Sequence, residues 1–414
     1  MSRYTQTSSF DLGSGVDGTN PATGNALHVE GDWMFIGDQE APIARDGSVH
    51  VYKRIAGVWT FHETLSKGNG LANPGWFGYD LDRSGDWLAV STTHQTGWAS
   101  PSGAEGGVEL FKYNSGNDTW EHQQSLIGHD AASTSEFGLA VRISGSYLAV
   151  GSPFHDTPSA NCGKFYIYKL VNGVWTLDFE WQEASPTAQN TLGLQVEIDG
   201  DYAFAFSGSP ATYRGTLYCF KLTAGTWVLH QTITSPSPQD NEGFGRGASC
   251  DGEWLAVGGS MRGANYGSTK GYIHIYKLIG TTWTHQVTYN PPNLHNQAWF
   301  PANVMLSGKF IIAGSLWTDR SEFDPLVGDS NGNGKGRVIV FERLQDDKWR
   351  QYPMPAMDLR FGDWNGAGVA VESDGTAYSL AFGTEADRTQ MRVRMFDRTA
   401  GASYSSLSLS SITA

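Results

Sequence analysis

Residues 137–157 read FGLAVRISGSYLAVGSPFHDT, and the middle of this stretch recurs along the chain. GDWLAVSTTHQTG stands at 85–97 and GEWLAVGGSMRGA at 252–264, with looser copies from 31, 200 and 308. The glycine before the aromatic aligns as Gly31, Gly85, Gly145, Gly200, Gly252, Gly308 and Gly375. Their successive spacings are 54, 60, 55, 52, 56 and 67 residues. A period of this size marks a repeat architecture, whose units stack because none can bury both faces alone.

Each unit holds four short runs that alternate apolar and polar residues, the signature of strands. An aromatic or Leu plus Gly opens the first run, as in Phe77-Gly78, Phe137-Gly138, Leu192-Gly193, Phe244-Gly245 and Phe361-Gly362, while Phe300 is followed by Pro301. The LAV core is the second run. GSVHVYKR, GGVELFKY, GKFYIYKL, GTLYCFKL, GYIHIYKL, GRVIVFER and MRVRMFDR supply the third. The fourth opens on Trp59, Trp120, Trp175, Trp227, Trp283 and Trp349, with Tyr404 in the last copy. The glycine before the aromatic suits the turn between first and second strands, and VNGVW or LTAGTW the turn between third and fourth.

The expected fold is all-β: a single seven-bladed β-propeller of four-stranded antiparallel blades. The blades fall at about 25–66, 77–127, 137–182, 192–234, 244–290, 300–354 and 361–412. Closure needs a terminal strand. YTQTSSF (4–10) aligns with the fourth-strand run WTFHETL (59–65), and SYSSLSLSSI (403–412) resembles a fourth strand as well. The N-terminal segment, 3–10, is the preferred closing strand.

Composition narrows the function. Of the 414 residues 17% are charged, and the formal net charge is −14. That balance argues against nucleic acid or an anionic membrane as partner, since both need a basic surface. No apolar run approaches the roughly 18–20 residues of a membrane helix. MSRYTQTSSFDLGSG has no apolar core of a secretory signal, so synthesis in the cytoplasm without a signal peptide is expected. Cys162, Cys219 and Cys250 are scattered and lack CxxC spacing, which disfavours a disulfide framework or zinc site.

Phe-Gly, SGDWLAV-type cores, GSPFHD and GVWT together resemble the FG-GAP repeat family, with Gly151-Ser152-Pro153 where the family has Gly-Ala-Pro. Integrin α-subunit propellers belong to that family, as do many bacterial and phage proteins. The resemblance extends over essentially the whole chain and implies the fold; one propeller scaffold hosts many activities. The family often carries Asp-rich calcium loops. DSNGNGKG (329–336) is similar, with Asp329, Asn331 and Asn333 spaced to offer alternate oxygens to calcium. It has one carboxylate and follows the second strand, where integrin propellers place their loops after the first. A metal-free Asn/Gly-rich loop is the competing reading.

Long second-to-third loops and connections between blades gather on one face of the disc, and tight turns on the other. Long loops on a rigid scaffold are where recognition is built. They carry Trp76, Trp98, Tyr213, Tyr266, Trp299 and Trp317, aromatics that no strand pattern requires. Of these Trp98, Trp317, Tyr213 and Tyr266 are the ligand-binding candidates, while Trp76 and Trp299 suit plugs between blades. His129-Asp130 and His155-Asp156 share the loop face, where they would cap turns, bind a metal or act as acid and base. Asp38, Glu40, Glu105 and Asp324 are further loop carboxylates with no evident pairing. The recurrent lysines Lys169, Lys221 and Lys277 read as structural, each stem covering an aromatic. So does His274.

No catalytic constellation emerges. The expected function is a non-enzymatic recognition or assembly module that binds a protein or glycan surface through the long-loop face, other subunits of an assembly included. Phage members of the family point to a virion component, such as a tail, decoration or receptor-binding protein. A cell-surface or matrix adhesion propeller is one alternative. The other is a glycan-cleaving enzyme with convergent carboxylates at the mouth of the central channel.

Overall fold

A computed structural model describes residues 4–11, 26–38, 47–68, 76–93, 106–130, 135–208, 212, 214–238, 240, 242–259, 271–290, 300–301, 303–315, 337–353, 364–382 and 391–398. Every regular element among them is a strand. The N-terminal strand β1 (Tyr4–Asp11) precedes the repeats. Sheet 1 holds β2 (Leu27–Glu30), β3 (Trp33–Asp38), β4 (Ser48–Ile55) and β5 (Val58–Leu65). Sheet 2 holds β6 (Trp76–Ser84), β7 (Trp87–Thr93), β8 (Gly107–Asn114) and β9 (Thr119–Leu126). Sheet 3 comprises β10 (Val141–Ser144), β11 (Tyr147–Ser152), β12 (Lys164–Val171) and β13 (Val174–Trp181). Sheet 4 comprises β14 (Val196–Asp199), β15 (Tyr202–Ser207), β16 (Thr216–Thr223) and β17 (Thr226–Ile233). Sheet 5 runs through β18 (Phe244–Asp251), β19 (Trp254–Gly259), β20 (Tyr272–Ile279) and β21 (Thr282–Tyr289). Sheet 6 runs through β22 (Asn303–Ser307), β23 (Phe310–Ser315), β24 (Arg337–Arg343) and β25 (Trp349–Pro353). Sheet 7 takes β26 (Trp364–Val371), β27 (Ala377–Phe382) and β28 (Met391–Arg398) from the C-terminal end, and its fourth strand is β1.

Among the described residues these sheets are four-stranded and antiparallel, each a simple meander except the last, and the architecture is a β-propeller. The first strands β2, β6, β10, β14, β18, β22 and β26 touch in ring order, with β26 returning to β2. Two devices join the ends. β1 pairs with β28, Tyr4 opposite Arg398 and Asp11 opposite Arg392. Arg54 of β4 also grips Glu372, just past β26, with Nη1 3.1 Å from Oε2 and Nη2 2.9 Å from Oε1. The segment 403–412, the other closing candidate, lies outside the described residues.

The glycines of the repeat work in two ways. Gly145 turns β10 into β11 at φ 56°, and a Cβ there would meet open space. Its role is conformational, because other residues pay to adopt that left-handed region. Gly151, in β11, has ordinary strand backbone, but a Cβ would drive into the carbonyl of Gly193 in the next sheet. Gly37 meets Gly78 in the same way. The Gly of one unit's GSP or GDQ therefore abuts the Gly of the next unit's Phe-Gly or Leu-Gly, and two backbones touch where no side chain fits.

Aromatic rings fill the remaining junctions. The indole of Trp120 stands edge-on to Trp33, Trp175 to Trp87, Trp227 to Tyr147, Trp283 to Tyr202, Trp349 to Trp254 and Trp59 to Tyr378. These pairs have centroids 5.3 to 6.2 Å apart and cross at 73 to 88°. Each joins a fourth-strand Trp to the second strand of the preceding sheet, and such pairs contribute about 0.5–1.5 kcal/mol beyond area burial. The recurrent lysines lie over the same second-strand rings: Lys169 over Tyr147, Lys221 over Tyr202 and Lys277 over Trp254, at 5.1 to 5.4 Å. Their structural role is thus directly visible.

The free edges of the first strands are closed by side chains rather than by another strand. Asp80 Oδ2 accepts from Val141 N at 3.0 Å, Asp82 Oδ2 from Ile143 N at 2.8 Å and Ser249 Oγ from Leu306 N at 3.0 Å. The residue before the turn glycine does likewise. Ser84, Ser144, Asp199 and Asp251 accept from the N–H of Gly145, Gly200, Gly252 and Gly308, the turn glycine of the following sheet.

The glycine contrast is testable by urea unfolding. Gly151→Ala is expected to cost about 3 kcal/mol, as overpacking against backbone does. Gly145→Ala is expected to cost only about 1 kcal/mol, the strain of a left-handed residue. Equal costs would remove the steric reading of Gly151.

Candidate functional site

Three of the four residues in the two His-Asp pairs come together, at the long-loop end of the junction between sheets 2 and 3. His129 and Asp130 follow β9, and His155 follows β11. Two residues that sequence reasoning missed complete the group, Lys164 at the start of β12 and Glu180 near the end of β13. Asp130 is the hub. Its Oδ2 lies 2.6 Å from Lys164 Nζ and 3.3 Å from His155 Nε2, and its Oδ1 accepts from Tyr166 Oη at 2.7 Å. Glu180 Oε2 takes the other side of Lys164 at 3.1 Å and lies 3.5 Å from His129 Nε2. His129 and Glu180 are open to solvent, their side chains 55% and 41% exposed, while His155 is buried. Asp156 instead accepts from Asn161 N at 2.8 Å, capping the turn after it.

Burial alone would raise the pKa of Asp130, but hydrogen bonds from Lys164 and Tyr166, with the charge of Lys164, outweigh it and hold the group at about 2. Burial likewise opposes the charge on Lys164, and its bonds to Asp130 and Glu180 prevail, keeping its pKa above that of an ordinary lysine.

An imidazole and two carboxylates within 4.8 Å of one another, as in His129, Asp130 and Glu180, are a donor set for a borderline divalent cation. Here the ammonium of Lys164 already lies between the two carboxylates. A similar tether recurs at the next junction, where Glu183 Oε1 accepts from Tyr218 Oη at 3.0 Å, and at a further one Glu242 Oε1 approaches His274 Nε2 to 4.0 Å without a hydrogen bond. In each case an acid in the connection between two sheets reaches the third residue of the later sheet's third strand. Asp130 therefore anchors the junction, and the groups that reach solvent beside it are His129 and Glu180, the latter also holding Lys164. The signal for these tethers was present in the sequence, as a polar Tyr or His in the otherwise apolar runs GKFYIYKL, GTLYCFKL and GYIHIYKL.

A second concentration of charge lies on the first strands, where Asp80, Asp82, Arg142, Glu197 and His28 meet. Asp80 and Asp82 are occupied by the backbone of β10, as described above. Trp76 is 7% exposed and stacks on Tyr79, a plug rather than a platform. Cys162 and Cys219 are buried, Cys250 is partly buried, and all three are free thiols. The ligand-binding candidates Trp98, Trp317, Tyr213 and Tyr266 lie outside the described residues. So do the calcium candidates Asp329, Asn331 and Asn333, and Trp299, Glu40, Glu105 and Asp324.

Acid unfolding tests the hub. A carboxylate depressed in the folded state supplies stability that is present above its unfolded pKa, near 4, and is lost as pH falls towards 2. Asp130→Asn should lose at most about 2 kcal/mol at pH 7, and its difference from wild type should shrink below pH 4. A pH-independent difference would assign the loss to packing instead.

A profile of the FG-GAP repeat family matches residues 120–168, from β9 into β12. No curated protein matches the chain. Among solved structures, a Bacteroides uniformis protein named "putative 6-phosphogluconolactonase" superposes with a TM-score of 0.51 at 12% identity, over 81% of this chain and 85% of that one. A Bacteroides fragilis protein of the same name gives 0.48 at 14% identity, over 80% and 84%. At such identities the first likeness is one of fold. Residues 120–168 are thus an FG-GAP repeat, built into a β-propeller of four-stranded antiparallel blades.

Proposed function

We propose that the chain is a seven-bladed recognition or assembly disc, which binds a protein or glycan surface through its long-loop face and has no catalytic role. The carrying observation is the contrast between its two faces. First-to-second turns such as Gly145-Ser146 and Gly252-Glu253 are two residues long, whereas residues 94–106 separate β7 from β8. At the long-loop face, His129 and Glu180 stand exposed above a base of Asp130, Lys164 and Tyr166 held by short hydrogen bonds. Binding groups fixed by such a shell lose little entropy on capture of a ligand.

Against a hydrolytic reading stands the use of Asp80 and Asp82, whose oxygens serve backbone N–H groups. A virion component remains the favoured setting, and calcium at Asp329, Asn331 and Asn333 a proposed addition.

Purified protein would be screened against glycan arrays and whole microbial cells, with and without EDTA. A Trp98→Ala, Trp317→Ala variant and a His129→Ala, Glu180→Ala variant should each weaken binding at least tenfold, the scale of a lost interface anchor. Loss in EDTA would bring in the calcium loop. Absence of binding under every condition would end the adhesive and lectin readings.

A further inference from the structure

Four consecutive first strands place ionisable side chains against one another at the inner edge of the ring. His28 is on β2, Asp80 and Asp82 on β6, Arg142 on β10 and Glu197 on β14. Arg142 Nη1 donates to both oxygens of Asp80, at 3.0 and 2.8 Å, and to the carbonyl of Val141 at 2.6 Å. Asp82 lies 2.9 Å from His28 Nδ1. Glu197 is 7% exposed, and its Oε1 accepts only from the neighbouring Ile198 N, at 3.0 Å. Among the described residues no cation forms an ion pair or hydrogen bond with it. The group thus holds three carboxyls against two cations, Arg142 and His28, and both cations are engaged by aspartates. A buried surplus negative charge is removed most cheaply by binding a proton.

We infer that the inner edge of sheets 1 to 4 is a proton-dependent seam, in which a protonated Glu197 lets β14 pack against β10 and its ionisation loosens that junction. Every element packed on β14 bears on this. β10 presents Arg142, β18 presents Arg246, Cys250 and Asp251, β14 itself adds Asp199, and the nearby β6 adds Asp80 and Asp82. β11 and β15 offer only the tyrosines Tyr147 and Tyr202. The cations Arg142 and Arg246 are therefore outnumbered by the four carboxyls of Asp80, Asp82, Asp199 and Asp251, and only Arg142 is close enough to Glu197 to offset its burial strongly. Consistently, burial lifts the carboxyl, attraction to Arg142 offsets this only in part, repulsion from Asp82 and Asp199 adds to it, and Glu197 titrates at about 8.

The sign follows from proton counting. Between the ordinary glutamate value, 4.5, and about 8 the folded chain holds a proton that the unfolded chain has released. The folded-to-unfolded ratio from this group therefore falls up to tenfold per pH unit across that window and is flat above it. His28, whose pKa is raised in the folded state despite its burial by Asp82 and Glu30, acts in the same direction. Its share is fully present below 6.5 and is lost as pH rises through its folded value.

Urea unfolding of the full chain at pH 5, 7 and 9 tests the seam, with Glu197→Gln and His28→Asn in parallel. Glu197→Gln should gain on wild type in folded-to-unfolded ratio by tenfold or more between pH 5 and pH 9. His28→Asn should keep the wild-type slope between pH 5 and 6. Amides of β10 and β14 in the wild type should open more at pH 9 than at pH 6, relative to those of β22, after correction for intrinsic exchange. A Glu197→Gln offset that is the same at every pH overturns the proposal. If that variant does not fold, proton release on unfolding the wild type at pH 6 decides: about one proton supports the seam, and none sinks it.

Discussion

The constraint on which the sheet junctions depend is a contact between two pieces of backbone. Gly151 and Gly193, and likewise Gly37 and Gly78, bring neighbouring sheets so near that one Cβ would force them apart. Once the sheets stand at that distance, the rest of the junction follows. The fourth-strand tryptophans reach the preceding sheet's second-strand ring edge-on, and lysines of the third strand lie across those same rings. A wider junction would leave the indoles without a ring to meet, and dispersion forces decay steeply with such gaps.

Close packing of radial sheets creates a second problem at the centre, where each first strand has an unpaired edge. The solution is local and repeated. A Ser or Asp before the turn glycine accepts the N–H of the next sheet's turn, and Asp80 and Asp82 extend the same service deeper along β10. Carboxylates brought inward for hydrogen bonding carry charge with them. Arg142 and His28 balance part of it, and Glu197 is left in a setting that favours its neutral form.

At the outer, long-loop end the same economy separates anchors from exposed groups. Asp130 and Glu183 each tie a connection to the third strand of the later sheet. What stands open to solvent at the junction of sheets 2 and 3 is the pair His129 and Glu180, although Glu180 is also paired with Lys164. Asp156 shows how little identity alone decides: it repeats the His-Asp motif of residues 129–130, yet it caps a turn.

Much of this was legible from residue order. The strands, their turns and the ring they imply follow from a period-2 alternation repeated at regular spacing, because a strand's burial depends on local pattern. The lysine of YKL over its aromatic was legible for the same reason, since both partners lie on adjacent strands of one unit. The choice of β1 as closing strand was readable from the likeness of YTQTSSF to WTFHETL. What lies between units was not. The meeting of Gly151 with Gly193, the union of Asp130 with Lys164, His155 and Glu180, and the charge surplus around Glu197 join residues tens of positions apart. Their geometry is set by how sheets pack, and packing distance and local dielectric are properties of the assembled ring that no single repeat contains.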